Sequence, residues 1–226
     1  MIDSLARGGH PYTCCAHEQA AGFAADGYAK IRGLGVAVTT CGPGATNLLT
    51  AAASAYCERV PVLYLVGQQH EFQELDVVGM FESVTKGAVQ IENIFSFPRQ
   101  FNLALKAVIS DRPGPVLLNI FDEVYYGDIL DTPGRFYPKG WAAPKPSEII
   151  FGNKRNAVSK GPGPYWFLTQ LKKHNPVVVT DIGNHGVWTK QIFPEAICDN
   201  NFGAMGYAIA ASMGVAAAGK SVVCVT

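Results

Sequence analysis

The chain reads as an α/β protein in which short parallel strands lie between helices in three layers, with a larger amino-terminal unit and a smaller carboxy-terminal one. Three observations predict this. Short apolar runs bounded by turn residues recur at 36–40, 62–66 and 116–120, as strands covered on both faces require. Segments of helical period separate them. The path from 36–40 through a glycine-rich turn and a helix to 62–66 has the order and length of a right-handed βαβ unit.

Taken in order, residues 1–13 read as the end of a helix, a turn at Gly8-Gly9 and an extended run into Tyr12. Ala16 to Lys30 reads as a helix, because Ala, Glu, Gln and Lys favour one and Ala20, Phe23, Ala24 and Tyr28 fall at its spacing. Glu18 sits in the first turn, where free backbone N–H groups favour a carboxylate; taken alone, a glutamate there is an ordinary helix start. The strand 36–40 runs into Cys41-Gly42-Pro43-Gly44-Ala45-Thr46-Asn47, which is neither GxxxxGK[ST] nor GxGxxG, and then into a helix from Leu48 to Tyr56.

After the strand 62–66, Gln68 to Glu74 forms a polar loop. Val84-Thr85-Lys86 and Ile91-Glu92-Asn93 lead into a helix over 97–110, with Pro98 in its first turn. Asp111 to Gly114 is a turn, and Val116 to Ile120 is the third strand. Between 126 and 163 prolines and glycines accumulate and periodicity fades, which predicts a linker. Beyond it come a helix at 165–173, a strand from Pro176 to Thr180, a polar turn Asp181-Ile182-Gly183-Asn184-His185 opening another helix, a small-residue helix after Gly206, and a last strand from Ser221 to Val225.

Composition narrows the function. Of 226 residues, 18 are basic and 18 acidic, so nothing points to nucleic acid or an anionic membrane. The apolar run at the N-terminus is too short for a signal peptide, and Ala204 to Ala218 is shorter than a bilayer span. Six cysteines show no CxxC spacing, which predicts reduced thiols in a cytoplasmic protein and assigns no metal ligands. A dinucleotide site would need GxGxxG with an acidic residue closing the next strand, and neither is present.

Several motifs together resemble the pyrimidine-binding domain of thiamine diphosphate enzymes of the acetolactate synthase and pyruvate decarboxylase superfamily. They are His17-Glu18-Gln19-Ala20-Ala21, Ala25-Asp26-Gly27-Tyr28-Ala29, the Cys41 to Asn47 turn, Pro61 to Gln68, and Arg112-Pro113-Gly114-Pro115-Val116. Residues from about 164 onward resemble the first half of the diphosphate-binding domain. The resemblance implies the thiamin diphosphate-binding fold, with a shortened pyrimidine domain at 1–125, a linker at 126–163 where relatives carry a middle domain, and a partial diphosphate domain at 164–226.

The same resemblance implies roles. Glu18 would hydrogen-bond N1′ of the cofactor pyrimidine and drive its 4′-amino group to the imino form. Pro43 and Asn47 would flank the pyrimidine; Gly183, Asn184 and His185 would contact the diphosphate; Gly203, Ala204 and Met205 would meet the ring, with Met205 as the apolar residue beneath the bent cofactor. Gln68, Phe72 and Lys86 match substrate-side positions, and His17 is either a helix-start partner or a catalytic group. In the family two subunits share each cofactor, which implies a homodimer or homotetramer with Glu18 facing Met205 across the interface, and a 2-oxo acid such as pyruvate as substrate. Mg²⁺ is expected with the diphosphate, but the Gly-Asp-Gly motif that binds it in the family does not occur in the sequence. That leaves two alternatives open, an inactive truncated family member or a subunit whose metal half comes from another chain.

Overall fold

A computed structural model describes residues 2–126 and 164–226. Of the linker expected at 126–163, Tyr126 closes a short helix and 127–163 lie outside the described residues. The elements in order are α1 (Ile2–Arg7), α2 (Glu18–Arg32), β1 (Gly35–Thr39), α3 (Pro43–Glu58), β2 (Val62–Gln68), α4 (Val77–Glu82), β3 (Ala88–Ile91), α5 (Phe97–Val108), β4 (Val116–Phe121), α6 (Asp122–Tyr126), α7 (Pro164–Lys172), β5 (Val177–Thr180), α8 (Asn184–Ile192), α9 (Tyr207–Ala217) and β6 (Val222–Val225).

The α/β architecture holds. A four-stranded parallel sheet has the order β1-β2-β4-β3, and β5 pairs with β6 in a second parallel sheet. Alternation along β2 shows why its sequence is a continuous apolar run. Val62, Tyr64 and Val66 join the core beneath α2 and α3, while Leu63 and Leu65 join the core that α5 covers with Ala104 and Val108. Each fully buried branched or aromatic side chain contributes roughly 1.5–3 kcal/mol, so the central strand is fixed in register from both faces.

Three elements depart from expectation. The helix read as beginning at Leu48 begins at Pro43, because proline is well suited to the first helical position and Gly42 makes the bend that admits it. Gly42 has φ 55°, and a Cβ there would lie 2.5 Å from Gln73 Cβ, so the bend needs glycine. Val77–Glu82 is helical, capped by Asp76, whose Oδ1 accepts from Gly79 N at 2.8 Å. Ala88–Ile91 is a strand paired with β4, so the run read as the third strand is the fourth.

The two units share one core. Phe23, Ala25 and Ala29 of α2 pack in the same cluster as Val179 of β5 and Tyr207, Ala211 and Val215 of α9. The helices approach at glycines. A Cβ on Gly27 would lie 2.1 Å from Ala211 O, and one on Gly214 would lie 1.8 Å from Ala24 O. Arg32 Nε donates to Ala218 O at 3.0 Å, and Asn201 N donates to Glu58 Oε1 at 2.6 Å. Among the described residues, no helix is long and apolar enough to cross a membrane.

Candidate functional site

The start of α2 is built by its own sequence. His17 is the N-cap, with extended backbone, and its Nδ1 accepts from Gln19 N at 3.2 Å. Of the two roles considered for His17, this contact is that of a helix-start partner. Glu18 is therefore the first helical residue and half-buried. Its Oε2 accepts from Asn47 Nδ2 of α3 at 3.0 Å. That bond, with the backbone N–H of Glu18 and the neighbouring His17, holds the carboxyl below its ordinary value of 4.5 against a smaller opposing effect of burial. Glu18 is accordingly an ionised acceptor at neutral pH. Pro43 stands one turn before Asn47, so the turn that opens α3 and the start of α2 meet at the Glu18–Asn47 bond.

The second wall comes from the turn before α9. Gly203 and Gly206 have φ of 75° and 80°, conformations open to glycine, and they bracket Ala204-Met205. Two aspartates hold this turn. Buried Asp199 accepts from Phe202 N at 3.3 Å and Ala204 N at 2.8 Å. Asp181 accepts from Gly206 N at 3.2 Å and Ala208 N at 2.7 Å, which caps α9. Met205 is left 85% exposed. A cleft of about 310 Å³ opens between the two helix starts, lined by His17, Gln19, Phe23, Met205 and Gly206. The residues on either side of Glu18 thus line the same cleft as Met205.

Gly183, Asn184 and His185 form the start of α8, with Gly183 at φ 126°. A Cβ on Gly203 would lie 2.9 Å from Ile182 Cδ1, so this turn adjoins the Met205 turn. His185 Nε2 is buried with no partner. The substrate-side residues are not gathered with these groups. Gln68 ends β2 and lines a separate cleft of about 450 Å³ with Thr39, Cys41, Asp122 and Tyr125. Phe72 is 62% exposed on the following loop. Lys86 lies at the amino end of β3, the opposite edge of the sheet from Glu18 and Pro43, and its Nζ donates to Ala107 O and to Ser110 Oγ, the latter at 2.6 Å.

Sequence reasoning passed over Asp181 and Asp199. Both are acidic residues in polar turns, and only the folded path of the chain aims their carboxylates at the amides of the Met205 turn. It also left Tyr207 unmarked, although its hydroxyl donates to Asp26 Oδ1 at 2.6 Å across the two units.

A half-buried carboxylate acceptor, an exposed thioether facing the residues around it and two glycine turns at helix starts suit a ligand with a flat nitrogenous ring and an anionic tail. The comparisons agree with that class. The family model described as "Thiamine pyrophosphate enzyme, N-terminal TPP binding domain" matches residues 1–94, and "Thiamine pyrophosphate enzyme, C-terminal TPP binding domain" matches 181–226. The chain belongs to this thiamine pyrophosphate enzyme family, on its acetolactate synthase-like side. It is 37% identical over 169 residues to a probable acetolactate synthase large subunit of Methanocaldococcus jannaschii, covering 65% of this chain and 28% of that one. It is 40% identical over 128 residues to the acetolactate synthase isozyme 2 large subunit of Escherichia coli, covering 53% and 23%. Against the mitochondrial acetolactate synthase catalytic subunit of Saccharomyces cerevisiae it is 40% identical over 116 residues, covering 48% and 17%. The chain thus spans under a third of the length of these relatives.

Proposed function

We propose that the cleft between α2 and the Met205 turn receives the aminopyrimidine ring of thiamine diphosphate, and that the chain serves an acetolactate synthase-like reaction, a decarboxylation and carboligation of a pyruvate-type 2-oxo acid. One observation carries the reading. Glu18, kept ionised by Asn47, stands between His17 and Gln19, and these two neighbours line a cleft whose facing wall is an exposed methionine. An ionised carboxylate favours a protonated ring nitrogen, so Glu18 would accept from N1′–H and hold that proton. A charge-assisted hydrogen bond of this kind is worth roughly 1.5–3 kcal/mol. Met205 would give the ring an apolar face, and Gly203, Ala204 and Pro43 would let backbone approach it. Gly183, Asn184 and His185 would meet the diphosphate at the start of α8, where the orphaned His185 Nε2 supports an absent partner. When bound, the cofactor supplies a nucleophilic thiazolium carbon and an electron sink.

Among the described residues no group of three His, Cys, Asp or Glu side chains is placed to hold a metal. Asp181 and Asp199 are engaged with backbone amides. We assign Mg²⁺ no ligand here. A second reading, of a subunit completed by another chain, is favoured by β6. It pairs only with β5 among the described strands, and its residues are only partly covered. A homodimer or homotetramer fits either reading, since the α2–α9 contact can form within a chain or by exchange between two. Six free thiols suit a reducing compartment such as the cytoplasm.

The test is a titration of the protein with thiamine diphosphate and Mg²⁺, followed by intrinsic tryptophan fluorescence, to which Trp188 contributes from α8, three residues beyond His185. A saturable change is expected. No change up to millimolar cofactor overturns the binding proposal, and saturable binding without turnover of pyruvate favours the inactive or subunit reading.

A further inference from the structure

The group that holds the two cleft walls in register lies outside the cleft, in the shared core. Asp26 is 0% exposed in the middle of α2. Its Oδ1 accepts from Tyr207 O–H at 2.6 Å and pairs with Lys30 Nζ at 2.9 Å. Lys30 Nζ also donates to Tyr207 Oη at 2.7 Å and sits 4.8 Å from the Tyr207 ring centroid. The ring packs edge-on against Phe23 at 5.3 Å. A fully buried carboxylate is retained only where its partners are in place, so this triangle admits one arrangement of α2 against α9. Its position gives it a further consequence. Tyr207 is the first residue of α9 and follows Gly206 directly, so it lies two residues after Met205. Phe23, which it touches, lines the cleft one turn along from Gln19.

We propose that Asp26, Lys30 and Tyr207 are positioning residues, which act through Phe23 and the start of α9 to set Met205 at its working distance from the Glu18 end of α2. None of the three touches the ligand in this scheme. The packed glycines alone do not fix this distance, because Gly27 and Gly214 permit close approach without specifying rotation of one helix about the other. The hydroxyl of Tyr207 supplies that specification, since it bonds to two groups a helical turn apart on α2. The proposal rests on the cofactor reading for its functional meaning, and its structural part stands apart from that reading.

The experiment uses Tyr207→Phe, which keeps the ring and removes both hydroxyl bonds, and reads amide hydrogen exchange over residues 203–208 together with thiamine diphosphate affinity. Leu118→Ala, in the separate core beneath α5, serves as a variant destabilised elsewhere. For Tyr207→Phe, protection over 203–208 is expected to fall by about tenfold or more, with affinity weakened by a similar factor. Leu118→Ala, compared under conditions where it remains folded, is expected to leave both near wild type. Unchanged protection in Tyr207→Phe, or an equal change in Leu118→Ala, overturns the proposal. If the wild-type protein shows no saturable binding, the cofactor reading fails, and the exchange data alone decide whether the triangle fixes the turn. Should Tyr207→Phe fail to fold, Lys30→Met tests the same contact from the partly exposed side, with the same loss of protection expected and wild-type protection overturning the proposal.

Discussion

Gly214→Ala probes the contact on which the cleft depends. A Cβ at this position would lie 1.8 Å from Ala24 O and 2.6 Å from Tyr28 N. Ordinary contact begins near 3.4 Å, so α9 and α2 must part by roughly 1.6 Å to restore van der Waals separation. Both clashing atoms are backbone and cannot rotate aside, which puts the overpacking penalty near the top of its usual range, about 3 kcal/mol. Alanine returns about 1 kcal/mol of helix propensity over glycine. The net loss is therefore about 2 kcal/mol, or about 4–8 °C in melting temperature for a chain of this size. Thermal unfolding followed by far-ultraviolet circular dichroism measures it. Gly87→Ala is the control, because nothing lies within 4 Å of a Cβ built there, and it should stay within about 0.5 kcal/mol of wild type. A Gly214→Ala protein as stable as wild type would mean that the helices do not meet at this glycine, and the shared core would have to be abandoned.

Two further outcomes follow from the site. Met205 is 85% exposed, so Met205→Ala should change folding stability by less than about 0.5 kcal/mol while weakening thiamine diphosphate binding; calorimetric unfolding and titration of the same sample check both. Asn47→Ala removes the main cause that lowers the pKa of Glu18. The folded value lies below the unfolded 4.5, so the bond's contribution to stability is present above pH 4.5 and lost as the pH falls through the folded value. The stability gap between wild type and Asn47→Ala in urea titrations should be constant above that pH and shrink below it, and a gap that widens on acidification would reverse the assigned sign.

Much of this was legible in the sequence, and what was not has a physical reason. The α2 helix, strands β1, β2 and β4, and the turn before α3 are written in local pattern. Val62 to Val66 is apolar because both its faces are covered, and Glu18 follows a capping residue at a helix start. The four-residue β3 is held by non-local pairing with β4, and its short, mixed pattern gives no period to read. Proline and glycine at 43 and 44 look like a continuing turn, although proline is equally at home in the first helical position. The Glu18–Asn47 bond spans 29 residues, and the Asp26–Tyr207 bond spans 181. Asp26 and Lys30 stand at the i, i+4 spacing of an ordinary helix-surface pair, and nothing local shows that Asp26 is buried beside Tyr207 of α9. Lys86 matched its motif by order along the chain, but the strand it precedes carries it to the far edge of the sheet.

The most direct measurement is exchange of the C2 proton of thiamine diphosphate for deuterium, followed by proton NMR in the presence of the wild-type protein and of Glu18→Gln. If the Glu18 carboxyl governs the pyrimidine nitrogen, the wild-type protein accelerates exchange above the rate of free cofactor, by roughly 10²-fold or more once bound, and Glu18→Gln returns it to the free rate although the variant remains folded. Equal acceleration by both proteins would contradict the role given to Glu18.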